Sequence, residues 1–231
     1  MGTTSADDAY DALREAVLTL DLAPGELLSE RGLEDRLGAS RTPIRAALLR
    51  LSAEGLTRRD GRAWRVSPID LTEIRAVMEY REIVETAAAR LAVERADAAD
   101  IEALRAVAEA SREHDDADAE MLRDGGDFHL ALVQLARNPF LANAVRDALT
   151  RLLRTRWLEV RTAESRAHAR AEHRHIVDAI AARDADRAAG LVAEHSRGTR
   201  DRLLAYLEDE HRRLRGRGFA IVESSPEPVR A

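Results

Sequence analysis

Apolar residues recur three and four apart along most of this chain, the spacing that lines them up on one face of an α-helix. Tyr10, Leu13, Val17 and Leu20 keep it over residues 5–21, where Ser5 stands as a cap. The Pro-Gly pair of APGE (23–26) ends that helix. Ser29 opens a short second one on Leu33 and Leu37, stopped by Gly38, and Ser40 caps a third on Ile44, Ala47, Leu48 and Leu51. Pro43 is tolerated in the first turn, where backbone N–H groups have no helical partner. At LTRRDGRAWRV (56–66) the period shortens to alternation: Trp64 and Val66 share a face, Arg65 points away, and Asp60-Gly61 predicts a two-residue hairpin turn. SPID (67–70) reads as a linker, with Asp70 and Glu73 in capping-box spacing. Helical spacing then runs to about residue 213, with breaks near 96–100, 113–117, 124–126, 137–139, 162–165 and 183–186. Asn138-Pro139 marks the clearest break, a cap followed by a first helical residue. The tail from residue 214 is expected to be loose, although FAIV (219–222) can pack as a short extended piece.

Three helices and a hairpin within about 65 residues follow the plan of a winged helix-turn-helix, a DNA-binding module. The expected fold class is mainly α: this N-terminal head with a small β-hairpin wing over residues 1–67, an all-α antiparallel bundle over 70–213, and the tail over 214–231. Composition agrees, since 45% of the 231 residues are hydrophobic but only 3% aromatic, and Ala, Leu and Val dominate. The absence of cysteine excludes disulfides, thiol nucleophiles and Cys-based zinc knuckles. No apolar run approaches the roughly 20 residues that span a bilayer. MGTTSADDAY has neither the charged nor the apolar region of a signal peptide, so a soluble cytoplasmic protein is expected, with no membrane partner.

A net charge of −6 argues against nucleic acid until its distribution is read. From Arg36 to Arg65 eight arginines face only Glu54 and Asp60, a local +6. Arg41 and Arg45 sit in the first turns of the third helix, where the exposed N–H groups disfavour cations. On a helical wheel they and Thr42 occupy an arc beside the apolar stripe, as a recognition helix requires. There Arg makes paired hydrogen bonds to guanine, and Thr42 or Ser40 reaches phosphate or a base edge. A solvated arginine face is the bland alternative for one isolated helix. A turn-linked preceding helix and a basic hairpin, in this order, weigh against it.

The stretch LAPGELLSERGLEDRLGASRTPIRAALLRLSAEGL (22–56), SRTPIR above all, resembles the GntR-type winged-helix regulators. That resemblance implies operator contacts from Arg31, Arg41 and Arg45, helped by Thr42 and the wing tip Gly61-Arg62. Ala63 stands where the family usually has a second glycine.

In the bundle, His173 lies 11 residues before Asp184 and His195 lies 11 after it, within a predicted helical hairpin. Antiparallel packing sets them at one height, each on an apolar stripe, and His129 shares a side with Leu132 and Val133. Each alone reads as a hydrogen-bonded core residue or as a ligand. Three converging imidazoles would suit a divalent zinc, nickel or manganese-type ion. His114, His168, His175 and His211 fall on polar stretches and read as surface residues. Arg81 and Glu85, four apart, read by spacing as a surface ion pair worth a few tenths of a kcal/mol. REIVE (81–85), FHLALVQLARNP (128–139), EHRHIVDAI (172–180) and AAGLVAEH (188–195) resemble the FadR-like subfamily and its FCD-type ligand-binding domain. That resemblance implies metal ligation by His129, His173 and His195, and an effector pocket where Arg81, with Glu85 and Asn138 nearby, binds a carboxylate. The family's fourth ligand, an Asp, falls at Gly125 here, so Asp124, Asp127 or water would complete the shell.

The expected function is a ligand-responsive transcriptional regulator, a repressor, binding double-stranded palindromic DNA as a homodimer with recognition helices roughly 34 Å apart. A small carboxylate effector would modulate operator affinity. A metal-dependent enzyme is the competing reading, but no general base stands at the right spacing beside the histidines, and an enzyme leaves the basic head unexplained. A scaffold whose helical half only dimerises is the third.

Overall fold

The computed structural model describes residues 5–110, 128–156, 162–216 and 218–225. The chain divides into two compact units, Met1–Glu73 with Leu207–Ala231, and Ile74–Tyr206.

The first unit contains α1 (Ala6–Leu18), α2 (Glu30–Leu37) and α3 (Arg41–Ala53). The Ser5 hydroxyl accepts the Asp8 N–H and the Asp8 carboxylate accepts the Ser5 N–H, which satisfies two donors at the start of α1. Ser29 caps α2 through the Gly32 N–H, and Gly38 ends it at φ 63°, a left-handed conformation that suits glycine. Ile44, Ala47, Leu48 and Leu51 share one core with Leu13, Val17, Leu33 and Trp64.

An antiparallel sheet of order β1-β3-β2 completes the wing: β1 (Leu27–Leu28), β2 (Thr57–Asp60) and β3 (Ala63–Val66). Asp60 pairs with Ala63, so the two-residue turn is Gly61-Arg62, one position later than Asp60-Gly61. Asp60 stays in the ladder because its carboxylate holds Arg65 across the hairpin, while Gly61 takes the positive φ of 60°. Trp64 and Val66 face inwards, and Arg65 also donates to the Gly25 carbonyl at 2.6 Å.

The SPID segment is not an open linker. Its Ile69–Asp70 forms β4, paired in parallel with β5 (Ile221–Val222). The Ile69 N–H donates to Ala220, the Ala220 N–H to Pro24, and the Thr72 hydroxyl to Ser224. Gly25, at φ 87°, lies so close under Ala220 that a Cβ there would collide with it. FAIV therefore packs as an extended piece, and the described tail residues 220–224 are anchored where looseness was expected. Burial would raise the Asp70 carboxyl, but hydrogen bonds from Ser224 and Thr72 hold it below the usual carboxylate range.

The second unit is helical: α4 (Leu71–Arg95), α5 (Ala98–Ala110), α6 (residues 128–135), α7 (Pro139–Arg156), α8 (Ala163–Ala181) and α9 (Ala185–Gly216) contribute to it. One cluster joins Ala92, Leu104, Phe128, Leu132, Ile176, Val177, Ile180 and Val192. Another joins Val84, Ala88, Val133, Val145 and Leu149. Asn138 caps α7 by accepting the Phe140 N–H at 3.0 Å. The α8–α9 turn falls at Ala182–Asp184, with Arg183 at φ 60° and Asp184 accepting the Arg187 N–H. His173 and His195 thus sit on the two arms of one hairpin.

Candidate functional site

In the first unit, burying the apolar stripe of α3 leaves Arg41, Thr42 and Arg45 exposed, together with Ser40, Arg31 on α2, and Gly61 and Arg62 at the wing tip. Ser40 is the N-cap residue of α3 by backbone, but its hydroxyl makes no capping bond, contrary to the expectation. Arg41 donates through Nε to Glu34 Oε1 at 2.7 Å, and Arg45 donates through Nε to Glu30 Oε1 at 2.8 Å. Sequence reasoning did not single out either acid. The signal available was their spacing, four apart on α2 and thus on one face. On the wing, the Arg59 guanidinium lies over the Trp64 ring, 4.1 Å from its centroid.

In the second unit, His129 of α6, His173 of α8 and His195 of α9 are buried, and one ring nitrogen of each lies within 4.8 Å of the others. Arg81 and Glu85 of α4 reach the same place, so the surface ion pair expected from spacing is instead fully buried: the side chains are 1% and 0% exposed. The reason is that α4 buries this face among its neighbours, with Val84 and Ala88 beside the pair. Arg81 Nε donates to Glu85 Oε1 at 2.6 Å, and Glu85 Oε2 lies 2.9 Å from His129 Nδ1. Arg81 Nη2 lies 2.6 Å from His129 Nε2. Arg81 Nη2 also lies 3.0 Å from His129 Nδ1. Because a guanidinium only donates and a carboxylate only accepts, the tautomer with its proton on Nδ1, towards Glu85, satisfies both partners and leaves Nε2 to accept from Arg81. His195 Nδ1 bonds Glu172 Oε2 at 2.8 Å, which likewise directs Nε2 into the cluster, 3.4 Å from His129 Nε2.

Burial, followed by the nearby Arg81 charge, lowers the His195 imidazole below its ordinary value against the pull of Glu172. Burial would raise the Glu172 carboxyl, but the bond from His195 and the nearby Arg202 charge hold it below the usual range. Phe128 stacks on His173 at 3.8 Å between centroids and packs edge-on to His129. Glu172 and Phe128 were missed by sequence reasoning, although Glu172 precedes His173 and lies one helical turn after His168.

The donor set fits a borderline divalent ion. Two imidazoles have Nδ1 held by a carboxylate, the arrangement that fixes the tautomer of a metal-ligating histidine. Neutral imidazoles and no thiolates suit zinc, nickel or manganese-type ions. Asp124, Gly125 and Asp127, where the fourth ligand was sought, lie outside the described residues, as does His114. The side chain of His211 is also outside them. His168 and His175 are exposed. Asn138 acts as a helix cap.

Two family models account for most of the chain. Residues 5–66 match "Bacterial regulatory proteins, gntR family", and residues 76–198 match the FCD domain. The chain is 33% identical over 183 residues to the Nta operon transcriptional regulator of Aminobacter aminovorans, covering 78% of this chain and 86% of that one. It is 32% identical over 203 residues to an HTH-type transcriptional regulator in an unstable DNA locus of Streptomyces ambofaciens, covering 87% and 85%. Among solved structures, E. coli McbR/YncC superposes with a TM-score of 0.68 at 22% identity, over 91% of this chain and 100% of that one. At that identity the likeness speaks for the fold. Relatives over most of the length are named as transcriptional regulators, which leaves the metal-dependent enzyme without support.

Proposed function

This chain belongs to the GntR family of bacterial transcriptional regulators, with an FCD domain behind a DNA-binding head, and from that premise we propose that it is a cytoplasmic repressor released or retained by a small carboxylate. The observation that carries the DNA half of this reading is the exposed pair Arg41 and Arg45 at the amino end of α3, whose other side is buried. Those guanidiniums read guanine in the major groove, Thr42 and Ser40 take phosphate or base edges, and Arg31 and the Gly61-Arg62 tip hold the backbone. A homodimer on a palindromic operator fits this use. Tyr80, Ile83 and Phe140 are large apolar side chains left exposed on the helices of the second unit, surface that a second copy would cover.

For the effector half, His129, His173 and His195 would hold the ion, which supplies a Lewis-acidic point for an anion to bind. Arg81 already points at the lone pair of His129, so its present contact and ligation through that nitrogen are alternatives. Turned from His129, the planar donor fork of Arg81 suits a carboxylate. Effector and DNA affinities would then be reciprocally linked.

Selection of bound duplex from a random pool by the full-length protein, followed by competition with small carboxylates, tests both halves. A defined palindromic motif whose binding changes with one class of acid is expected. No preference for any duplex at modest ionic strength, with or without acids, would overturn the reading.

A further inference from the structure

We propose that Glu30 and Glu34 are positioning residues for DNA recognition, each holding a guanidinium of α3 by its Nε so that the two terminal nitrogens face the duplex together. This rests on the reading that Arg45 and Arg41 enter the groove. A guanidinium carries five N–H donors in one plane, and guanine accepts two of them through O6 and N7. A bond to Nε occupies one edge of that plane and leaves the terminal Nη1–Nη2 edge for a base. Both pairs have this same geometry, Arg45 Nε to Glu30 at 2.8 Å and Arg41 Nε to Glu34 at 2.7 Å. The arginine side chains are 59% and 66% exposed, so each is tethered at its root and open at its tip. Repetition one helical turn apart, on acids four residues apart, makes this a paired device.

The charge of the brace matters as much as its geometry. Every phosphate attracts an arginine whatever the sequence, and that attraction supplies non-specific binding. A carboxylate already at Nε offsets part of the guanidinium charge and repels nearby phosphate, which lowers affinity for any duplex. Guanine gives back what was lost, because it matches the aimed fork by shape. Specificity is a difference between two affinities, and the acids widen it by lowering the wrong one. Arg45 holds the Glu30 carboxyl below its ordinary range, so the brace is ionised at neutral pH.

The experiment uses the full chain, the duplex it selects from a random pool, and copies of that duplex with each G·C pair changed to A·T. Arg45→Ala locates the guanine that Arg45 reads, as the position where the mismatch penalty disappears. Glu30→Gln should then reduce the penalty at that position roughly fivefold, towards the lower end of what one bidentate contact discriminates. It should also tighten binding to random duplex and leave the melting temperature unchanged. In an Arg45→Ala background, Glu30→Gln should change the penalty no further, since the acid acts through the arginine. Glu34→Gln with Arg41→Ala gives a second, independent pair. Glutamine variants that keep the full penalty, or that lower it equally without the arginine, overturn the proposal alone. If Arg45→Ala and Arg41→Ala leave every penalty intact, the recognition-helix reading falls and the proposal with it.

Discussion

The two units each contain an arginine bonded through Nε to a glutamate, Arg45 to Glu30 at 2.8 Å in the head and Arg81 to Glu85 at 2.6 Å in the bundle. Their chemistry is the same and their surroundings are opposite: Arg45 is 59% exposed, whereas Arg81 and Glu85 are sealed from water. An exposed pair gains little over its hydration, about 0–1 kcal/mol, so it adds little to stability and leaves the rest of its guanidinium open to water. A buried pair cannot be broken without stranding a charge, at about 3–5 kcal/mol. The head therefore holds arginines tethered at Nε whose terminal nitrogens stay open to an outside partner. The bundle holds one that moves only when another anion replaces what it loses. Exposure, and not residue identity, separates an arginine open to an outside partner from an internal anchor.

The largest loss is expected at Glu85. Glu85→Ala leaves the Arg81 charge buried without its carboxylate and takes the partner from His129 Nδ1. Urea unfolding should show a loss of about 3–5 kcal/mol. A loss under about 1 kcal/mol would mean that the two pairs are equivalent. Arg45→Ala is the converse case: stability should stay within about 0.5 kcal/mol, while discrimination at one guanine falls by about 1–3 kcal/mol in competition binding. Glu172→Gln sharpens the contrast within the bundle. If the three histidines hold an ion as proposed, removing the carboxylate that orients His195 should weaken zinc binding about 10–100-fold in titration against a chelating dye, or about 1.4–2.7 kcal/mol, with an intact fold. The smallest effect belongs to Asp7→Asn. Its partner Arg50 lies at 2.6 Å, but the two side chains are 84% and 49% exposed, and thermal unfolding should register no more than about 1 kcal/mol.

Elements whose signal is local were legible from their residues. Ser5 and Ser29 cap helices through their hydroxyls, Gly38 stops one in a left-handed conformation, and the Ile44–Leu51 stripe buries the face its spacing marks. His173 and His195 meet because residues equidistant from a hairpin turn face each other across antiparallel helices. Legibility failed where one partner was distant or too short to show a period. β1 is two residues long, and β4 becomes a strand only because Ile221 and Val222 arrive from more than a hundred residues away. The turn at Gly61-Arg62 slipped by one position because the Asp60–Arg65 bond holds Asp60 in the ladder.

Helical periods, the winged head, the clustering of arginine at the start of α3 and the matched height of two histidines could all be read from the residue order, since each follows from neighbours in the chain. Tertiary structure alone decided that Arg81 and Glu85 are buried, that Glu85 and Glu172 orient imidazoles, and that Glu30 and Glu34 hold the arginines of α3. Burial and hydrogen-bond partnership depend on which surfaces packing brings together, and residue spacing within one helix carries no record of what lies across from it.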